Sequence, residues 1–426
     1  MHIEIDRVIM DDELKTRFSE RRESEEYYKG VITDVEPIAV EGKKTSEYSC
    51  SSYQLKEKQY YFSTFRNVEI GEPVALGEEE YLTICGKSIR YCVFENCKFQ
   101  NVKFVSCNFA GCVFINCTLY PVVFENCYFS MPYIKPDGAG GIETFNIFTE
   151  FQKCFFSGRF EKCNLEYGYL HKCATSLTKF YDCNIHGIYI DTCALHSSEL
   201  KDCDLISAKI YHTDILEITF VDDKGTKIDE ETFFDYKLHS KKPKAGGEVT
   251  TEAGWKKPSY EAMAQEKAKT LRQVSKLFER NGYSDHAGEY FYRSKCMDRL
   301  GSCGIKKMTY SLSWLICGYG ERPIFTFLSM IAVMLIFAFA YVITGFSIGQ
   351  STINLDTLKE TWPNIWQILK CYGHSTFFSI TTFSTVGYGN YVPVGEWSSI
   401  FAAIEMLAGV SLSALWTGCF FRKIVR

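Results

Sequence analysis

Between Ile84 and Ile210, large apolar residues recur at every fifth position. Ile84, Ile89, Phe94, Phe99, Phe104, Phe109, Phe114, Leu119, Phe124 and Phe129 make the first run. Neither a helix nor an ordinary strand has that period. A smaller set sits two positions earlier, at Cys92, Cys97, Val102, Cys107, Cys112, Cys117, Val122 and Cys127. This set repeats as Cys-Cys-Val-Cys, so equivalent positions lie four fives apart. A coil with four sides whose equivalent sides stack meets that pattern, each coil burying its inward residues only against its neighbours. The segment from Met131 to about Thr149 interrupts it with Pro132, Pro136 and Gly138-Ala139-Gly140-Gly141. The repeat then resumes one residue out of phase with Phe160, Leu165, Leu170, Phe180, Ile185, Ile190, Leu195, Leu200, Leu205 and Ile210. Cys163, Cys173, Cys183, Cys193 and Cys203 recur at ten, which alternates between two opposite faces of the coil.

After Phe233-Phe234 the chain turns polar, and Ser240 to Pro258 reads as a linker. Helical spacing returns at Ala264, Leu271, Val274, Leu277 and Phe278, and again at Ala287, Tyr290 and Phe291, with Asn281-Gly282 between them. These two patterns predict an antiparallel hairpin similar to a single tetratricopeptide repeat, or simply a helical connector. Lys306 and Lys307 with Met308, Tyr310, Leu312, Trp314, Leu315 and Ile316 make a basic, aromatic amphipathic segment suited to a membrane surface.

Two stretches are long and apolar enough to span a bilayer. Ile324–Phe346 carries no charge, and Ser398–Phe421 is broken only by Glu405. A shorter apolar segment near Cys371–Phe383 is a candidate re-entrant helix. Lys306, Lys307 and Arg322 precede the first span, and Arg422, Lys423 and Arg426 follow the second. The connection has no basic excess, so both termini are expected in the cytoplasm of a multi-pass protein of the cell membrane.

That connection contains Thr381-Thr382-Phe383-Ser384-Thr385-Val386-Gly387-Tyr388-Gly389-Asn390. Glycines at 387 and 389 suit a backbone that must aim successive carbonyls at one axis, taking over the water of a bare cation. From Pro323 to Arg426 the chain resembles the potassium-channel pore family, whose filter signature is Thr-Val-Gly-Tyr-Gly. The resemblance implies that Thr385, Val386, Gly387, Tyr388 and Gly389 bind permeant K+, with Val386 and Tyr388 turned outward and Thr385 adding a hydroxyl at the inner mouth. One such loop per chain supplies a quarter of a ring, so a homotetramer is expected. Thr381, Thr382, Asn390 and Glu405 are candidate filter supports. Asn390 stands where the family usually has Asp. Glu405 is expected either to bond a pore-helix Thr or to border the cavity. Gly409 is a candidate gating hinge or a close-packing residue. A second Gly-Tyr-Gly, at Gly318–Gly320, lacks a preceding pore helix and reads as a turn.

The five-residue repeat resembles the pentapeptide-repeat family, which implies a right-handed quadrilateral β-helix. The expected whole is a multidomain membrane protein. It has a cap region over 1–83, the β-helix over 84–216 with an insert at 131–149, and a cap and linker over 217–258. A helical hairpin linker over 259–300, an interfacial helix over 303–320 and a two-span α-helical pore domain over 323–426 complete it. Within the last, spans are expected at 324–346 and 397–421, a pore helix at 369–383 and the filter at 385–389.

Composition narrows the function. The chain has 47 basic and 52 acidic residues, and Ile84 to Leu216 holds 12 basic and 13 acidic, too even for a nucleic-acid binder or a DNA mimic. Nineteen cysteines without a leading signal peptide read as reduced thiols. Their even spread along a solenoid suits small buried hydrophobes better than zinc ligands. His186, His196 and His212 stand on repeat positions without a nucleophile, so no enzyme and no cofactor are expected. No helix carries Arg or Lys at every third position, and the chain ends soon after the second span, so regulation is expected through the N-terminal two thirds, with an unknown cytoplasmic protein or ligand as the candidate partner. The competing readings are a membrane-anchored interaction protein and a weakly selective cation pore.

Overall fold

The five-residue period becomes a stack of short parallel strands. The computed structural model describes residues 2–43, 50–71, 81–136, 142–221, 225–239, 259–354, 356 and 364–425. The expected linker at 240–258 and the glycines at 138–141 lie outside them. The chain divides into two units, Met1–Met297 and Asp298–Arg426.

In the first unit, parallel strands of mostly three residues stack into a nine-stranded and a thirteen-stranded sheet. One inward rung runs in register through Val40, Phe65, Phe94, Phe114, Phe151, Leu170, Ile190, Ile210 and Phe234. Strand spacing sets the contact, because like side chains on adjacent rungs are held about 4.8 Å apart. Rings therefore stack: Phe94 lies 4.8 Å from Phe114, and Phe124 lies 4.9 Å from Phe160. Past Phe180 the inward residues are mostly Leu and Ile. There the shorter side chains leave a cavity of about 50 Å³ lined by Phe180, Leu195, Leu200 and Ile210 among others.

Each corner needs a residue in the left-handed region, and Asn enters it at less cost than most side chains. Asn96, Asn101, Asn116 and Asn126 turn corners with φ between 49° and 53°. The Asn116 amide donates to Asn96 Oδ1 at 2.7 Å, so successive corners also bond one another.

The cysteines form columns. Cys97, Cys117, Cys154, Cys173 and Cys193 follow one another on one side, and Cys107, Cys127, Cys163, Cys183 and Cys203 on another. All ten are buried. A column thiol typically sits within reach of two carbonyls for its one S–H, as Cys183 Sγ does at 3.4 Å from Phe160 O and 3.3 Å from Tyr181 O. A small side chain with a weak donor suits a space bordered by carbonyls already engaged in the ladder. Thr149 takes an equivalent place, its hydroxyl 2.7 Å from Phe109 O and 2.6 Å from Phe129 O. Burial pushes the Cys112 thiol well above its ordinary value, which keeps the proton on sulfur.

Four boundaries differ from the sequence expectation. Coils begin at Ala39–Glu41, well before residue 84, because Val40, Phe65 and Ile70 already occupy inward rungs. They end at Phe233–Phe234, past residue 216. The insert is an antiparallel hairpin, Ser130–Pro136 against Ile142–Phe148. The phase change occurs in two steps. Phe151 and Phe156 are inward after the hairpin, and one residue is then dropped before Phe160. Leu119 and Phe124, five apart, pair with Phe156 and Phe160, four apart. Gly158 sits at that shortening, where a Cβ would come within 1.9 Å of Val122 O.

The residues before the coils form α1, His2–Val31. Arg21 clamps it through a buried pair with Glu150 at 2.9 Å and a bond to Gly111 O at 2.8 Å. Phe18 packs edge-on to Phe148 and Tyr169. Helices α2, Tyr260–Arg280, and α3, Ser284–Leu300, follow the coils. The α2 helix is more than a linker, since it packs on the strands Asp214–Leu216 and Thr219–Phe220. Leu271, Val274, Leu277, Phe278, Ala287 and Tyr290 join the core of the coils. The hairpin thus covers the open end, where the last rung would otherwise face water.

The second unit begins with α4, Gly304–Cys317, then a tight turn at Gly318–Gly320. Then come α5, Pro323–Thr344, α6, Ile365–Phe383, and α7, Gly395–Val425. Phe346–Ile348 pairs antiparallel with Ser351–Ile353 and with Tyr391–Pro393.

Gly158→Ala is expected to lower unfolding stability by about 1–3 kcal/mol, the range for overpacking. Gly30→Ala, with nothing within 4 Å of the added Cβ, serves as the neutral control. Denaturant titration of the two variants measures the contrast.

Candidate functional site

The chemistry the sequence singles out lies in the second unit, between α6 and α7. The α6 helix starts at Ile365, four residues before the expected position, because the Asn364 side chain caps it by accepting from the Trp366 N–H at 3.1 Å. Its C-terminus is closed by the loop that follows. Thr382 O accepts from the Thr385 N–H at 3.0 Å, and Thr381 O accepts from Val386 at 3.0 Å and Gly387 at 3.3 Å. The loop amides thus satisfy carbonyls that a helix end leaves open.

Along the loop the backbone alternates. Thr385 (φ 58°), Gly387 (φ 49°) and Gly389 (φ 81°) lie in the left-handed region, and Val386 and Tyr388 between them do not. In an extended strand successive carbonyls point to opposite sides, whereas this alternation brings them to one side. Thr385 is the costly member, a β-branched residue at positive φ. Its hydroxyl donates to Ser384 O at 2.7 Å. Tyr388 stacks on Phe377 at 6.2 Å, yet 70% of it remains exposed within one chain. Asn390 is exposed, and its carbonyl accepts from the Gly349 N–H at 3.2 Å.

Behind the loop, Glu405 of α7 is fully buried. Its partners differ from those expected: it is bonded by Tyr341 of α5 at 2.6 Å and by Ser379 of α6 rather than by Thr381 or Thr382. Helical geometry explains this. Thr381 Oγ1 turns back to Phe378 O at 2.9 Å, while Ser379 faces the other two helices and also reaches Met334 O at 2.7 Å. One carboxylate therefore ties three helices together. Nothing in the sequence pairs Tyr341 with Glu405, which lie 64 residues apart. Tyr341 also packs on Phe378 at 4.6 Å, in a cluster with Phe346 and Ala402.

The α7 helix runs unbroken past Gly409. A Cβ there would lie 2.0 Å from Phe383 O, so its glycine admits the end of α6. At the far end of α7, Arg422 pairs with Glu321 at 2.9 Å. The Gly318–Gly320 string is a tight turn that caps α4 and leads into α5.

Helices α5 and α7 are each long and apolar enough to cross a membrane, 22 and 30 residues respectively. The family model described as "Ion channel" matches residues 329–426, and that described as "Pentapeptide repeats" matches eight copies over residues 92–130. Comparison with curated proteins finds no match. Among solved structures, QnrB1, a plasmid-mediated fluoroquinolone resistance protein, is 15% identical over 46% of this chain and 92% of its own, with a TM-score of 0.20. HetL, a pentapeptide repeat protein involved in heterocyst differentiation regulation in the cyanobacterium Nostoc, is 11% identical over 42% of this chain and 81% of its own, with a TM-score of 0.16. Likeness at that level carries no argument. The C-terminal part, with its two candidate spans, is thus similar to ion channels, and the coils are similar to pentapeptide repeats. One chain joins a two-span pore module to a pentapeptide-repeat β-helix.

Gly409→Ala is expected to destabilise the detergent-solubilised protein by about 1–3 kcal/mol through overpacking. Thermal unfolding followed by circular dichroism reads the loss, and Gly418→Ala, with open space around the added methyl in the same helix, should cause none.

Proposed function

We propose that this chain is one subunit of a homotetrameric, potassium-selective channel in the cytoplasmic membrane. The observation that carries the reading is the loop Thr385–Gly389, whose alternating backbone follows a helix that ends between two candidate spans. Four such loops around an axis supply rings of main-chain oxygens that replace the hydration of K+. Thr385 to Gly389 hold the ion. Tyr388, stacked on its own Phe377 and otherwise open, meets the neighbouring subunit.

Glu405 acts as a support. By tying α5, α6 and α7 together it fixes the height and tilt of the helix from which the loop emerges. Thr381 and Thr382 support the loop through their carbonyls. The basic flanks of both spans favour cytoplasmic termini. Ile305, Met308, Leu312 and Leu315 form an exposed row on α4 beside Lys306 and Lys307, a face suited to the inner membrane surface. The β-helix is then a cytoplasmic domain through which gating enters.

Purified protein in proteoliposomes should pass K+, and Gly387→Ala should abolish the flux while native mass spectrometry still reports four subunits. Absence of flux with an intact tetramer would favour an anchored interaction protein instead. Glu405→Gln should keep conduction but shorten the open lifetime in single-channel records, since a neutral amide makes weaker bonds to Tyr341 and Ser379.

A further inference from the structure

We infer that the seat of α2 on the last coils is a proton-operated latch, in which buried Lys267 and nearby histidines share the same aspartates. The inference stands on the first unit alone and does not depend on what the pore conducts.

Four of the chain's eight histidines, His171, His196, His212 and His239, belong to neighbouring coils or to the segment just after them. The sequence treats them as scattered, but the coil brings positions about twenty apart into adjacent rungs. Asp191 takes His212 Nδ1 at 2.7 Å and His171 Nδ1 at 3.2 Å on its two oxygens. The His212 ring lies 6.2 Å from that of His239. His239 Nε2 sits 2.7 Å from Asp235 Oδ2, and its backbone N–H donates to Asp214 Oδ1 at 3.1 Å. Asp235 is itself buried.

Into this group α2 inserts Lys267, which is fully buried. Its ammonium donates only a long bond to Thr213 O, 3.4 Å, and is offset by Asp235 and Asp214. His196 stands near the same Asp214, with Glu217 adding negative charge and Lys267 opposing it. Tyr290 of α3 completes the seat, hydrogen-bonded to the N–H and the carbonyl of Phe234.

The sign follows from burial. Desolvation holds the Lys267 amine down at about 8, against 10.5 in water, despite the two aspartates. It also lowers His196 below its ordinary 6.5. A base whose value is lowered in the docked state binds fewer protons there than when released, so docking weakens as pH falls. Lys267 contributes that loss from 10.5 down to about 8, and His196 contributes it below 6.5. The seat is tight in alkali and loosens in acid.

Hydrogen–deuterium exchange of the full-length protein in detergent tests this, with rates corrected for the intrinsic effect of pH. Between about pH 10 and about pH 5.5 the protection of α2 amides is expected to fall about tenfold or more, a factor of ten corresponding to one unit of pKa difference. The stacked coils Phe94–Phe124 should keep theirs. Lys267→Met should flatten the upper part of the profile, and His196→Gln the lower part. Should Lys267→Met fail to fold, the His196→Gln variant and the unmodified chain decide alone. An α2 profile that does not change with pH, or that keeps its slope in the variants, overturns the latch.

Discussion

Both units rest on residues held in the left-handed backbone region at a fixed interval, and the interval decides what the backbone does. At one residue in five, as at Asn96, Asn101 and Asn116, the chain turns a corner and returns to the same side after four corners. Its amides and carbonyls then meet those of the next coil, and the side chains between corners point inward. At one residue in two, as at Thr385, Gly387 and Gly389, the alternation suits successive carbonyls that share one side. The first arrangement spends every backbone group on internal bonds. The second suits main-chain oxygens to an ion that has shed its water.

Around each arrangement, packing fixes what local geometry only permits. Stacked Phe rings at strand spacing hold the coils, and thiols and hydroxyls fill the small positions because those spaces are bordered by carbonyls. In the pore unit, Glu405, Tyr341 and Ser379 join three helices at a point where apolar contacts alone would let α6 slide. A single buried carboxylate with two hydroxyl partners is a small feature, yet it fixes where the loop begins. Gly409 lets α7 approach closely enough for that arrangement to form.

Much of this was legible because periodicity survives in the side chains. The inward Phe series, the cysteine columns, the two apolar helices and the loop between them could all be read directly. What was missed has physical reasons. Phe151, Cys154 and Phe156 carry the repeat spacing, but they fall between the hairpin and the one-residue shortening at Gly158, so their phase matches neither flanking run. The early coils around Phe65 and Ile70 are separated by longer segments that hide the period. The corner asparagines were present two positions after Phe94, Phe99, Phe114 and Phe124, and that signal could have been read. Tyr341 and Ser379 as partners of Glu405, and Arg21 with Glu150, join residues far apart in the chain, and no local pattern encodes such pairs. The hairpin looked like a linker because its apolar stripe does not say what it covers; the open rung at Phe234 answers that.

The central claim is that main-chain oxygens from this loop select K+ by replacing its hydration. The reversal potential of the reconstituted protein with K+ on one side and Na+ on the other tests it most directly. The account predicts a reversal close to the K+ equilibrium value, collapsing toward zero in Gly389→Ala. Currents that treat the two ions alike in the unmodified protein would contradict it.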